Sequence, residues 1–256
     1  MNKLAATAVL VLAASSTWAI QGTIRSDKAQ WTGDITWMGS KKAYSISSKK
    51  GQTTVSAECP LADVESIEIA KPAGFDKAVE MVRRGQGSSA IGILSKIVAD
   101  YKMLFWDKPA GRYLVEAYLA ANNAEKAYQT AQSIISADRD AAWKGELAPA
   151  YWQALLKLGK SQQLENCLRK ASSSADRVTS AEALKMRGDM ILAAGGDTPE
   201  TYRQALTDAY LRVALLYIDE PCKEVRAAAM LKAGFCFDKI GMAARAESMR
   251  TQAKTL

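Results

Sequence analysis

Residue types that usually carry chemistry are sparse in this chain. Among its 256 residues there is no histidine. That removes Ser-His-Asp triads, Cys-His dyads, His-Glu-x-x-His zinc sites and zinc fingers with paired Cys and His, because each needs an imidazole as base or ligand. The four cysteines, Cys59, Cys167, Cys222 and Cys236, are spaced by 108, 55 and 14 residues, which matches no zinc or redox motif. On one helix Cys222 and Cys236 would stand about 21 Å apart, too far to bridge. Some of these thiols are therefore expected as small buried hydrophobes. Asp138 with Asp140, and Asp219 with Glu220, could in principle supply the acid and base of a glycosidase. That reaction needs two carboxyls held across a cleft at roughly 5–9 Å, whereas both pairs fall at expected helix ends, where carboxylates cap or are solvated. Gly85-Gln86-Gly87-Ser88-Ser89-Ala90 spells the Gly-x-Gly-x-x-Ala dinucleotide fingerprint, which requires a buried strand before it and an acidic residue about 20 positions on. Phe75 to Arg84 has helical spacing instead, so Gly85 is expected to end a helix. Met81, Met186, Met190, Met230 and Met249 read as core filler. No catalytic, cofactor-binding or metal-ligating residue is assigned, and the chain is expected to be no enzyme.

Composition then bounds the elements: 48% hydrophobic, 24% charged and 7% aromatic residues place the chain in the ordinary globular range. Met1-Asn2-Lys3 is a short basic start, Leu4 to Ala14 is a run of Leu, Ala, Val and one Thr, and Ser15 to Ala19 supplies small residues around a cut. Residues 1–19 read as a secretory signal peptide cleaved after Ala19, with Thr17 at the minus-three site. Eleven residues of helix span about 16 Å, roughly half of a hydrocarbon core about 30 Å thick, so a permanent membrane anchor is the weaker reading. No Cys follows the run to carry a lipid. The expected mature protein has 33 basic and 27 acidic residues, mildly cationic and soluble rather than polycationic. Export is the expectation, to a bacterial periplasm or outer envelope or as a secreted protein, with no transmembrane anchor after cleavage.

From Gln30 to Ala70 the pattern alternates. Trp31, Gly33, Ile35 and Trp37 share one parity, followed by Tyr44, Ile46 and Ser48, then Thr53 to Ala57, then Val64, Ile67 and Ile69. Period two with β-branched and aromatic residues predicts four or five short antiparallel strands. Breaks fall at Gly39-Ser40, Lys49 to Gln52 and Cys59-Pro60. So small a sheet must close or find a partner to bury one face, and its order resembles a small SH3-like or Sm-like barrel over residues 20–72. Lys41, Lys42, Lys49 and Lys50 near Trp31, Trp37 and Tyr44 could contact nucleic acid. Lysines at hairpin ends also deter edge-to-edge aggregation, and the alternating aromatics suit a barrel core, so nucleic acid is disfavoured. The alternative reading is an envelope glycan-binding factor or enzyme accessory that uses this module, with those aromatics stacking on sugar rings.

From Phe75 onward helical spacing takes over. Gly85, Asn122 and Gly159 recur at steps of 37 residues, each five before Ala90, Ala127 and Leu164, and the row Leu94, Ala131, Leu168, Leu206 keeps nearly the same step. Gly241 precedes Ala246 in the same way. Such periods predict stacked helical hairpins, since one hairpin cannot bury its apolar face alone. Met230, Gly234, Phe237 and Ala246 resemble the tetratricopeptide repeat signature. Gly111, Val115, Tyr118 and Ala127, and Ala148, Trp152, Leu155 and Leu164, follow it with several residues of the wrong size class. The period also exceeds the family's 34 residues, and the fourth unit has a long second helix from about Thr198 to Tyr217. The resemblance implies an α-solenoid of about five hairpins over residues 73–256, so the whole is an α+β multidomain chain, mainly α, with a small antiparallel β-barrel-like domain in front. It further implies a concave groove at Arg112, Glu116, Gln153, Arg187, Ile191, Phe235 and Asp238. The two arginines suggest a protein or peptide partner with an acidic or C-terminal carboxylate segment, and no cofactor.

Overall fold

The computed structural model describes residues 20–50 and 53–256. The expected signal peptide, residues 1–19, lies outside the described residues. The chain divides into two compact units between Ala70 and Lys71.

The first unit is one antiparallel sheet of β1 (Ile20–Ser26), β2 (Gln30–Met38), β3 (Ala43–Lys50), β4 (Thr53–Pro60) and β5 (Val64–Ile69), in the spatial order β4-β3-β2-β1-β5. The parity holds: Ile24, Ile35, Tyr44 and Ile46 are buried, on the face that Gly33 shares. β4 and β5 are the two edges, yet only the single 3-10 turn Leu61–Asp63 connects them. In a flat sheet the edges would be four spacings, about 19 Å, apart, while one such turn advances roughly 6–8 Å. The sheet must therefore curl on itself, and its register shows where. Gly22 pairs with Gly33, and a Cβ on Gly33 would sit 2.3 Å from the Ser47 carbonyl oxygen. The strands approach more closely there than any side chain permits, the use of glycine that bends a small sheet toward closure. The alternation beginning at Gln30 did not reveal β1, whose inward row is only Ile20, Gly22 and Ile24, with a glycine in place of its middle apolar side chain.

The second unit is five helical hairpins: α1 (Phe75–Arg83) with α2 (Gly87–Asp100), α3 (Asp107–Ala120) with α4 (Ala124–Ala137), and α5 (Leu147–Lys157) with α6 (Ser161–Ser172). In the fourth, α7 (Arg177–Gly195) meets α8 (Pro199–Ala205), which runs through a π-turn (Leu206–Tyr210) into α9 (Leu211–Leu216); the fifth is α10 (Lys223–Lys239) with α11 (Ala243–Thr255). Each hairpin turn has one residue in the left-handed region: Gly85, Asn122, Gly159, Gly196 and Gly241. In four of them the next amide donates back five residues: Gln86 to the Met81 carbonyl, Asn123 to Tyr118, Lys160 to Leu155 and Met242 to Phe237, at 2.8–2.9 Å. This is the Schellman closure, which spends carbonyls that the helix end leaves unpaired. It also disposes of the apparent dinucleotide fingerprint, because Gly85 is that turn residue and Gly87 opens α2 against the Ala117 backbone, 3.0 Å from where a Cβ would be.

The repeating row is the core: Leu94, Ala131, Leu168 and Leu206 are buried, as are Ala90, Ala127, Leu164 and Ala246. Each first helix also packs on the first helix of the next hairpin, giving the series α1, α3, α5, α7, α10. All four cysteines are buried free thiols, and burial pushes the Cys236 thiol up to about 11.

Candidate functional site

Two adjoining cavities of about 240 and 320 Å3 lie within the helical unit and share Arg112, Pro149, Glu182 and Glu224, so they form one trough. Four consecutive hairpins contribute to it through their first helices. α3 gives Arg112 and Glu116, α5 gives Trp152 and Gln153, α7 gives Val178, Glu182 and Lys185, and α10 gives Glu224, Val225 and Ala228. The stacking of first helices explains this convergence, since a constant offset between hairpins turns one row of each onto a common inner face. Pro149 is the third residue of α5, where the missing N–H would have no helical partner in any case.

The polar groups of the trough are mostly engaged. Arg112 Nε donates to Glu116 Oε1 at 3.0 Å. Burial disfavours the guanidinium charge, but the Glu116 carboxylate outweighs it and raises the Arg112 pKa. Lys144 pairs with Asp140 at 2.7 Å, and Lys185 Nζ lies 3.0 Å from Glu182 Oε2. That Glu182 oxygen is buried without an aligned hydrogen bond, so its contact with Lys185 is one of charge alone. Asp176 caps α7, where the Thr179 hydroxyl and the Thr179 and Val178 amides hold its carboxyl below the usual range against the opposing effect of burial. Trp152 lies beneath the trough with its indole N–H donating to the Ala142 carbonyl at 2.9 Å.

Deeper, the carboxylate of Asp189 joins four elements. It accepts from Gln153 Nε2 at 3.1 Å and from the Tyr210 hydroxyl at 2.8 Å, and pairs with Lys232 at 3.1 Å. Burial first, and the adjacent Asp189 second, push the Tyr210 hydroxyl far up, so Tyr210 serves as a permanent donor.

Of the expected groove residues, Arg112, Glu116 and Gln153 come together in this trough. Arg187 does not line it. Its η2 nitrogen donates to Glu165 of α6 at 3.3 Å, because residue 187 is two positions past Lys185, about 200° around α7. Ile191 packs with Tyr202, Leu206 and Phe237 in a core cluster. Phe235 stands over Tyr202 with ring centroids 5.9 Å apart, and Asp238 pairs with Arg250. The row of α7 that faces the trough is Val178, Glu182 and Lys185, and Asp189 continues it; its spacing of four, three and four is visible in the sequence once the repeat register is set aside.

The carboxylate pairs have local roles. Asp138 pairs with Lys108 at 2.5 Å and accepts the Asp140 amide at 3.1 Å, while Asp219 pairs with Arg177 and Glu220 with Lys223. In the sheet unit Lys41 pairs with Glu58 at 2.7 Å, and Trp37 packs on the buried Tyr44 at 4.9 Å. Among the described residues no helix is long and apolar enough to cross a membrane, and no group of three potential ligands is placed to hold a metal ion.

No protein-family model matches the chain, and no curated protein matches it. Among solved structures it is similar to two crystal structures of nearly identical TPR-like repeats from a Podosopora anserina kinesin light chain, one of them a variant. Both are 14% identical, covering 72% of this chain and 92% of theirs, with TM-scores of 0.42 and 0.43.

Proposed function

We propose that this chain is a non-enzymatic protein-binding or assembly scaffold of the bacterial periplasm or cell envelope, with a tetratricopeptide-like superhelix behind a small SH3-like module. The observation that carries the reading is the convergence of four first helices on one trough. The trough extends across four helices, a spread that suits a few side chains of a bound segment. Export rests on the Leu4 to Ala14 run and its flanks.

A photo-crosslinking amino acid at residue 228, in the trough, and another at the exposed Arg169 on α6 test the binding role in the native host. The expected result is one defined protein adduct from residue 228 and none from residue 169. Equal or absent labelling at both would refute a trough that binds protein. Mass spectrometry of the same material should find a mature N-terminus near Ile20, and an intact Met1 would refute export through a cleaved signal.

A further inference from the structure

The charge of the trough is opposite to what its arginine suggests. Its lining holds the carboxylates of Glu116, Glu146, Asp176, Glu182 and Glu224 against three cations, Arg112, Lys144 and Lys185. Each cation already has a carboxylate within 3.0 Å, in Glu116, Asp140 and Glu182 respectively. Glu146 and Glu224 are exposed, and among the described residues neither has a cation within ion-pair distance. They stand at the N-terminal ends of α5 and α10.

Helix N-termini ordinarily attract anions. Three of them border this cavity, but each carries its own carboxylate: Glu146 at the cap of α5, Asp176 at the cap of α7 and Glu224 in the first turn of α10. An incoming carboxylate would have to draw Arg112 away from Glu116 and then lie beside Glu146 and Glu224. A cation meets two carboxylates that have no ion pair, although Glu146 is within Coulombic reach of Arg112. Apart from Thr179 and Gln153 the remaining lining is apolar: Trp152 below, with Pro149, Val178, Pro221 and Val225 around it. The aliphatic stem of Lys or Arg covers such a surface while its charged end reaches the acidic rim.

Taking the trough as the protein-binding surface, we propose that its occupant is a basic peptide segment of the partner, presenting a Lys or Arg side chain between apolar neighbours. This deepens the scaffold reading and rests on it.

The test pans the full chain against a displayed random decapeptide library at physiological salt, then measures the selected peptides by fluorescence anisotropy. The expected selection is for Lys or Arg flanked by apolar residues. Affinity should fall at least tenfold on replacing Glu146→Lys and Glu224→Lys together, and by less with Glu146→Gln and Glu224→Gln, which keep the shape and remove the charge. Both positions are exposed, so circular dichroism melting should change little. Selection of acidic peptides whose binding Arg112→Glu abolishes would overturn the sign proposed here and leave the trough as a docking surface. Basic peptides that bind the charge-reversed chain undiminished would overturn the placement. No selection at all would sink the docking reading and this inference together.

Discussion

The Cδ1 of Ile134 on α4 occupies the space that a side chain on Gly111 of α3 would need, 2.2 Å from where a Cβ would be built. This explains a departure from the repeat signature. In the last hairpin the large residue stands on the first helix, Met230, with Ala253 at the position matching Ile134; in the second hairpin the sizes are exchanged. Replacing Gly111→Ala should destabilise by about 1–3 kcal/mol through overpacking, even though Ala favours helix by about 1 kcal/mol. Ile134→Val alone should cost about 0.5–1.5 kcal/mol. The double variant should lose less than the sum, and a denaturant-melt cycle showing simple additivity would break the proposed exchange of volume.

Asp189 should be the most costly polar position of the helical unit to remove. It is 7% exposed and bonded to Gln153, Tyr210 and Lys232. Asp189→Ala leaves a buried hydroxyl and an amide unpaired, for an expected loss of about 3–5 kcal/mol. Tyr210→Phe removes only one donor and should cost about 1–2 kcal/mol. Urea melts in which both changes cost the same would count against a shared hub.

Phe105 occupies the place in its loop that Gly145 holds one hairpin later, two residues before the helix, and both are left-handed, with φ of 74° and 76°. The Phe105 ring meets Trp106 edge-on at 5.2 Å, which offsets part of the strain. Phe105→Ala loses that contact and keeps the strain, whereas Phe105→Gly loses the contact and the strain together. The glycine variant should therefore be more stable than the alanine variant by about 0.5–1 kcal/mol, after allowing for its looser unfolded chain. In a helix interior the order would reverse, so the ranking by thermal melting is diagnostic.

The pH dependence of stability should carry a signature of Asp107. Its carboxyl, 2% exposed, is pushed above the usual carboxylate range by burial, against the opposing bonds from the Met103 and Lys108 amides and the nearby Lys108 charge. A folded pKa above the unfolded value, about 3.9, favours folding below that value, and the benefit is lost as pH rises through the folded pKa. Asp107→Asn still offers an acceptor and does not titrate. Its stability relative to the parent chain should therefore improve from about pH 4 toward pH 7. A difference that stays flat or moves the other way would contradict the assignment.

The solenoid was legible because its punctuation is local. A residue that can take a left-handed turn, followed five positions later by a small or branched buried one, requires nothing from the rest of the fold, and Gly85, Asn122 and Gly159 expose it directly. Gly196 keeps the step of 37 from Gly159 but escaped that count because the buried residue five positions on is the polar Thr201. Only after it do the π-turn and a longer second helix break the step, placing the next turn at Gly241, 45 residues on. The trough was legible only on α3 and α5. Arg187 was assigned by carrying the repeat register onto α7, and a displacement of two residues turns a side chain to the far side of a helix. Glu146 and Glu224 had no signal of their own, since a single exposed carboxylate at a helix start looks the same whether or not it borders a cavity.

The place of β5 beside β1 sets different clocks for the two units. Ile24 pairs with Trp31 across a tight hairpin and with Ile67 on its other side. Closing the longer loop costs roughly 1.5 kcal/mol more in chain entropy than closing the shorter one. That cost falls before the edge strand returns any contact. The helical unit has no such step, because each of its hairpins joins neighbours in sequence and can nucleate alone. Refolding should accordingly be biphasic, with helical signal returning first and the environment of Trp31 and Trp37 maturing later, so the smaller unit limits the rate at which the whole chain becomes native.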